Sequence, residues 1–552
     1  MGIVIDTRKK GIYMIKILLR KARTFLDDPK TSIEKYTNPR YKQKRAAKKK
    51  SQQKSKQSTE QNTKTSQEYF NEMLTFINAF DVNQLKIDTE YIWPYLRNRI
   101  WIQLYALGND KNKRNISPEE IQKGSTRHVP YYLRDRFKRL YNAKEISEIE
   151  QNDTGIDFLF FTVINAAEQV ELDDGKVYYR ITDPLYEAAS KVGTAKKIEM
   201  IKVNSPAIRK SKQYYHPAQL ILPPYISKAG YTEKLEYHYK FLGLLNKTIP
   251  SLSYSYELLD KSLDWEMHTR EYYITLLQKL NPRFLFLNGF HHQAPLISAA
   301  DFLGIKTIDV QHGIQVGWNP LYNHWPEIPE EGYQALPDYF FVWGEKEHRS
   351  IREVFKGDKH RPLISGFPWL ERQKELTEKL DPKYVKRFKK YKVVTLLALQ
   401  NQTEVPKLYL DLIAHSSKDH LWIIRHHPKG NRFEEKDFIK QKGERGDILI
   451  SKYFDKITLA QLFDHIDIVI SAGSTVAIEA DYHGLYNFIF SEKGKGNYID
   501  EIEDEQFFYI ENHTQFYKIL DTLDLQKKES RVKAYHTVDL PPLLETLLKE
   551  ST

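Results

Sequence analysis

The chain reads as an α/β protein. Two Rossmann-like doubly wound domains face a central cleft, with an N-terminal helical extension and a basic tail. Three observations carry that reading. From about residue 155 onward, short apolar runs alternate with helical segments, as buried parallel strands and their crossover helices do. The 552 residues exceed what one core organises, so at least two domains are expected. The charge is also segregated. Residues 1–66 hold 19 Lys+Arg against 5 Asp+Glu and the remainder 65 against 68, so the net +11 belongs to a tail on a nearly neutral body.

The elements follow in order. Residues 8–26 (RKKGIYMIKILLRKARTFL) set Ile12, Ile15, Leu18 and Leu19 on one helical face beside Lys16, Arg20 and Lys21. This is the pattern of an interfacial helix on anionic lipid, or of a surface helix docked on the protein. Residues 40–56 carry nine positive and no negative charges and read as a solvated linker. Residues 67–150 show aromatic and aliphatic positions at helical spacing. Then come IDFLFFTV (156–163) as a buried strand and 169–181 as a hairpin turning at Asp174-Gly175. KKIEMIKV and AQLILPP are strands, and 264–280 is a helix stopped by Asn281-Pro282. RFLFLNG, KTIDVQHG, DYFFVWG and RPLISG complete one set of strands. YKVVTLLALQ, HLWIIRHHPKG, DILISKY, IDIVISAGS and YNFIFS form a second, and the chain from about 506 reads as helical. The expected organisation is a tail over 1–66, a Rossmann-like domain with the helical extension over 67–370, and a second Rossmann-like domain over 371–552 whose final helices cross back.

Composition excludes several classes. With no cysteine there is no disulfide framework, thiolate metal site or cysteine nucleophile. No apolar run approaches the roughly 18 residues that span a bilayer, and no convincing secretory signal opens the chain. A cytoplasmic protein is expected, peripheral on the inner face of the membrane if the tail binds lipid. A basic tail on a neutral body points to an anionic surface, not to a nucleic-acid groove.

Four polar clusters fall where apolar strands end, which is where open α/β sheets bind ligands. They are Asn288–Gln293 with His291 and His292; Gln311-His312-Gly313; Arg425-His426-His427-Pro428-Lys429-Gly430; and Ser471–Thr475 with Gly473, Ser474 and Thr475. The last precedes a helix, so its N–H groups and hydroxyls suit a phosphate, or Ser/Thr simply caps the helix. Glu479, on that helix, is a ribose or base acceptor or an exposed residue. Arg425, His427 and Lys429 can donate to a phosphate, and Pro428 fixes the chain after His427. His312, between a strand and a glycine, is the candidate general base. Asp309 orients it or is a buried partner. Glu331, in a Pro-rich loop, is a candidate lid carboxylate, whereas Asp173-Asp174-Gly175 is structural. His291, His292 and His312 lack acidic ligands at metal spacing, so no metal is expected.

The ordered motifs Gln-His-Gly, Pro-Asp-Tyr-Phe-Phe-Val-Trp-Gly, His-Pro and Ser-Ala-Gly-Ser-Thr-Val-Ala-Ile-Glu-Ala resemble the bacterial GT-B glycosyltransferases of surface-polysaccharide (capsule) synthesis. These include the His-Pro-motif sialyl- and Kdo-transferases and the teichoic-acid glycerophosphotransferases. The resemblance covers about residues 155–500. It implies that His427-Pro428, Ser474 and Thr475 bind the phosphate of a cytidine nucleotide, and that His312 is the base. The sialyltransferases carry an acidic-acidic-Gly triplet where this chain has Gln311-His312-Gly313. The glycerophosphotransferases carry Asp-Tyr-Ser-Ser where it has Ala472–Thr475. The expectation is sugar transfer from a nucleotide-sugar, first a CMP-sugar, to a glycan or glycolipid acceptor. The alternatives are polyol-phosphate transfer from a CDP-alcohol, a UDP-sugar donor, or a membrane-bound scaffold with no activity. No cofactor is expected, since the nucleotide-sugar is a substrate.

Overall fold

The computed structural model describes residues 66–109, 134–135, 138, 142–152, 154–163, 168–172, 174–201, 213–224, 236–250, 252, 254–316, 321–376, 379–400, 404–427, 430–439, 446–526, 529–530 and 538–550. The segments 8–26 and 40–56 lie outside them.

The extension opens on helix Ser66–Ala79. Phe70, Met73, Phe76 and Ile77 recur on its buried face. A short antiparallel ribbon, β1 (Lys86–Ile87) and β2 (Glu90–Tyr91), then leads into helix Trp93–Asn109, whose second residue is Pro94. The ribbon was not expected. Pro94 accounts for where the second helix starts, because its fixed φ suits a first turn and its missing N–H costs nothing there.

The first large sheet contains β3 (Ile156–Val163), β6 (Ala195–Met200), β7 (Gln219–Ile221), β8 (Pro282–Leu287), β9 (Lys306–Val310), β10 (Tyr339–Val342) and β11 (Arg361–Ile364). Between β3 and β6 stands the expected hairpin of β4 (Gln169–Glu171) and β5 (Val177–Tyr179). Its turn is closed by Lys176 N donating to Asp174 Oδ1 at 2.9 Å, which makes that carboxylate structural. Every pairing in the large sheet is parallel, in the order β11-β10-β9-β8-β3-β6-β7. The chain therefore starts in the middle, winds outward to β7, returns, and winds the other way. Helix Tyr256–Leu280 makes that return. It begins eight residues earlier than its strongest sequence pattern, and Asn281 stops it with a φ of 47° before Pro282 opens β8.

The second sheet repeats the plan with β12 (Val393–Ala398), β13 (His420–Arg425), β14 (Asp447–Ile450), β15 (Ile468–Ser471), β16 (Tyr486–Ile489) and β17 (Phe508–Tyr509). Its order is β14-β13-β12-β15-β16-β17, again all parallel. The expected α/β class with two doubly wound sheets is present. β17 corrects the helical reading of the segment after 506. Only two of its residues pair, too few for a periodicity to register in the sequence.

The last helix, Leu540–Glu550, places Leu540, Leu544 and Leu547 in a buried cluster with Phe158, Phe284, Ala188 and Ala189 of the first sheet's layer. Arg283 Nη2 seals it by donating to Leu548 O at 2.6 Å. The same cluster holds Ala477, Ile478, Ile489 and Tyr498 of the second unit against Phe341, Trp343 and Phe367 of the first. One apolar cluster thus includes residues of both sheet layers. Among the described residues no helix is long and apolar enough to cross a membrane.

Candidate functional site

In each sheet the strand order reverses at one point, between β3 and β8 in the first and between β12 and β15 in the second. Crevices of doubly wound sheets open outside the carboxyl ends at such points. The loop leaving β8 begins Asn288-Gly289, and the loop leaving β15 is Ala472–Thr475. The neighbouring strands β9 and β13 run out into Gln311–Gly313 and His426-His427. All four polar clusters therefore lie at carboxyl ends, two of them at the reversals.

On the first sheet, Gly289 takes φ +72°, and a Cβ there would lie 3.5 Å from Cε1 of both His291 and His312. The His291 ring centroid is 4.0 Å from that of His292 and 6.3 Å from that of His312. His292 is exposed, and His291 and His312 are half-buried. Burial holds the His312 imidazole below its usual pKa and Arg180 pushes the same way, against Glu168 and the Val310 backbone. The result favours a neutral imidazole, the form that can accept a proton. Glu168 is itself held by Asn288, whose Nδ2 donates to its Oε2 at 2.5 Å.

One expectation about this loop is corrected, and of the two readings of Asp309 the buried-partner one holds. Gln311 is fully buried, its Nε2 donating to Gly313 O at 2.9 Å and its Oε1 accepting from Trp343 N at 2.7 Å. Both its polar ends are thus engaged with the backbone, so it shapes the turn and does not face a ligand. Asp309 does not orient His312. It accepts from Phe290 N at 3.1 Å and Tyr322 OH at 3.0 Å, and so pins the loop that carries His291 and His292. Burial raises Asp309 to about 7, above the ordinary carboxylate value. Between the two values the folded state holds a proton that the unfolded chain has released, so stability falls as pH rises. Glu347 at about 7 and Glu199 at about 8, also raised by burial, act in the same sense. The melting temperature is expected to drop from pH 5.5 to pH 8. The drop should be smaller in Asp309→Asn, which mimics the protonated acid. An equal drop in both proteins would rule Asp309 out as a contributor.

On the second sheet, Arg425 closes β13. Its Nη2 donates to Ile457 O at 2.8 Å. Burial lowers it to about 10, partly offset by Glu479 and Asp455, with Arg180 adding to the fall. His426 is structural: it sits against Asp455 at 3.2 Å and against the Phe433 backbone. His427, the other imidazole of the pair, is half-buried and its carbonyl accepts from Gly430 N at 2.9 Å. Pro428 and Lys429 lie outside the described residues.

The Ser471–Thr475 loop is rigid for a visible reason. Gly473 takes φ +97°, and a Cβ there would stand 2.3 Å from Gly494 Cα. The Ser471 hydroxyl accepts from Gly473 N at 3.2 Å and Ser474 N at 3.4 Å, and Ser491 Oγ donates to Ala472 O at 2.5 Å. Ser474 Oγ accepts from Val476 N at 3.4 Å, a local capping bond, while Thr475 makes no side-chain cap bond. Tyr498 OH fixes the loop from outside by donating to Ser474 O at 2.9 Å.

The two sides meet at a residue absent from the sequence expectations. Arg180 leaves the β4–β5 hairpin of the first unit, its N donating to Glu168 O at 3.1 Å. Its Nη1 donates to Glu479 Oε1 of the second unit at 3.2 Å. Its charge also acts on both His312 and Arg425. Glu479 is 1% exposed, which corrects the reading of it as an exposed residue: it is buried on Arg180. A second pair spans the same interface, Lys346 Nζ to Glu501 at 2.7 Å.

Glu331 is displaced from the site. It accepts from Tyr91 OH at 2.6 Å, and the adjacent Gly332-Tyr333 segment packs on His360, the residue before β11. It therefore sits at the opposite, amino end of the sheet, tied to the helical extension, and is no lid over His312. Among the described residues no group of three or more His, Asp or Glu side chains is placed to hold a metal ion.

No family model matches the sequence, and no curated protein does. Solved structures do resemble the chain. The UDP-GlcNAc 2-epimerase of Neisseria meningitidis is 12% identical, with a TM-score of 0.46 over 71% of this chain and all of that one. The UDP-GlcNAc 2-epimerase of Methanocaldococcus jannaschii is 11% identical, with a TM-score of 0.43 over 71% of this chain and all of its own. A UGT transferase of Siraitia grosvenorii in complex with UDP is 10% identical, with a TM-score of 0.43 over 72% of this chain and all of its own.

Proposed function

We propose that this chain is a GT-B glycosyltransferase of surface-polysaccharide synthesis, moving a sugar from a nucleotide-sugar, first a CMP-sugar, to a glycan or glycolipid hydroxyl. The observation that supports it is the Arg180–Glu479 pair, which joins the strand-end loops of the two sheets, with the half-buried His312 and with Arg425 both within reach of the Arg180 charge. His312 takes the acceptor proton as the new C–O bond forms. The sugar–phosphate bond breaks, and the leaving phosphate draws charge that Arg425, His427, Ser474 and Thr475 stabilise; donors aimed at developing charge are often worth several kcal/mol. His291 and His292 line the acceptor side. The basic residues 1–66 would seat the enzyme on anionic lipid at the cytoplasmic face of the membrane.

A nucleotide panel read by thermal shift tests this, because a ligand of the folded state raises the melting temperature by mass action. CMP is expected to stabilise the protein more than UDP or CDP. A larger shift with CDP favours polyol-phosphate transfer, and one with UDP favours a UDP-sugar donor. No shift with any of the three removes the reading.

A further inference from the structure

Three residues linked across the interface each carry a buried polar atom with no hydrogen-bond partner among the described residues: Arg180 Nε, Arg425 Nη1 and Glu479 Oε2. Buried donors are almost always satisfied in native proteins, so three orphans on linked residues call for a reason. The charges do not balance either. Among the described residues Glu479 is the one carboxylate that bonds to Arg180, and its charge also acts on Arg425. Asp455, the other acid near Arg425, is committed to the buried His426 and to Arg432. Among the described residues the two guanidinium groups thus share one available negative charge, and each keeps a buried N–H with no partner. Guanidinium forks suit phosphate oxygens, which accept several strong charge-assisted bonds at once.

We propose that Arg180 completes a phosphate site across the interface: a phosphate or diphosphate group binds between Arg180 of the first unit and Arg425 of the second, with Glu479 as the carboxylate that holds Arg180 in place until it arrives. This deepens the nucleotide-sugar reading and rests on it for the identity of the ligand, though not for its charge. The first unit then touches the donor as well as the acceptor. It does so through a hairpin residue whose charge also acts on His312.

The test measures binding of pyrophosphate, CMP and UDP by calorimetry to the full chain and to Arg180→Ala, Arg180→Lys and Glu479→Gln. Arg180→Ala is expected to weaken each bound anion about 10- to 100-fold, the scale of a lost bond to a charged group. Arg180→Lys keeps the charge and loses the fork, so it should fall between, and it carries the test if the alanine variant does not fold. Glu479→Gln removes a competing negative charge and should tighten the same ligands several-fold. Opposite signs for the Arg180 and Glu479 variants support the site. Equal weakening in both means that the pair only latches the two units, and overturns it. Wild-type affinity in both Arg180 variants overturns it as well. Arg180-dependent pyrophosphate binding with no nucleotide binding upholds the site and removes the nucleotide-sugar reading. A wild-type chain that binds none of the three anions ends both.

Discussion

His312→Ala should lower transfer by about 10²–10⁴-fold, the usual range for a general base, while nucleotide affinity and melting temperature stay close to wild type. The separation follows from position. His312 stands after β9 on the first sheet and Arg425 ends β13 on the second, so its removal leaves the groups assigned to the leaving phosphate in place. The pH profile supplies a second readout. A base works only when neutral, so activity is lost as pH falls through its pKa. Burial lowers that pKa, and the acid limb of kcat/KM should lie below the roughly 6.5 of an ordinary imidazole. Glu168 pulls the other way, since its negative charge favours the imidazolium. Glu168→Gln should therefore move the limb still lower without abolishing activity. Near-native turnover in His312→Ala would remove the residue from the chemistry. An unmoved limb in Glu168→Gln would mean that the carboxylate does not act on the base.

The strands that build the switch points were legible because a strand covered on both faces must be apolar along its length. IDFLFFTV and IDIVIS can be little else, and they became β3 and β15. The polar loops at their ends were legible for the converse reason: a run of His, Asn, Ser and Gly directly after such a strand has no core to enter. Elements of two residues, β1, β2 and β17, carry too little periodicity to register. The site was legible only in halves. Arg180 sits in an ordinary hairpin-to-helix turn, and its partner Glu479 is 299 positions away. Glu479 in turn read as a ribose or base acceptor or as an exposed charge on its helix, with no sign of a partner in another fold. It is buried because that helix is covered by the first unit, a fact of packing between two folds. Glu331 was misplaced for a related reason. Nearness in sequence to His312 suggested nearness in space, but the chain between β9 and β10 must travel from the carboxyl end of the sheet back to its amino end.

Lys197→Met is expected to cost about 3–5 kcal/mol of stability, the penalty for leaving one partner of a buried ion pair alone. Lys197, in β6, pairs with Asp183, and each side chain is only 1% exposed. The ammonium also lies 5.1 Å from the Tyr179 ring centroid, so a second favourable contact is lost with it. Asp183 does more than balance charge. Its Oδ2 accepts from Tyr179 N at 2.9 Å, joining the hairpin strand β5 to the first turn of helix Asp183–Val192. Arg180 lies between those two points. A carboxylate left without its lysine would take up a proton or draw in water, and either would loosen the turn that aims Arg180 at the second unit. The double variant Lys197→Met/Asp183→Leu removes both charges and should recover most of the loss. The unbonded Tyr179 N–H would remain, at about 1–3 kcal/mol. Urea unfolding of the two variants beside wild type separates these contributions. Should Lys197→Met lose less than about 1 kcal/mol, the pair would be behaving like an exposed one, and the turn carrying Arg180 would owe its shape to the surrounding aromatic packing instead.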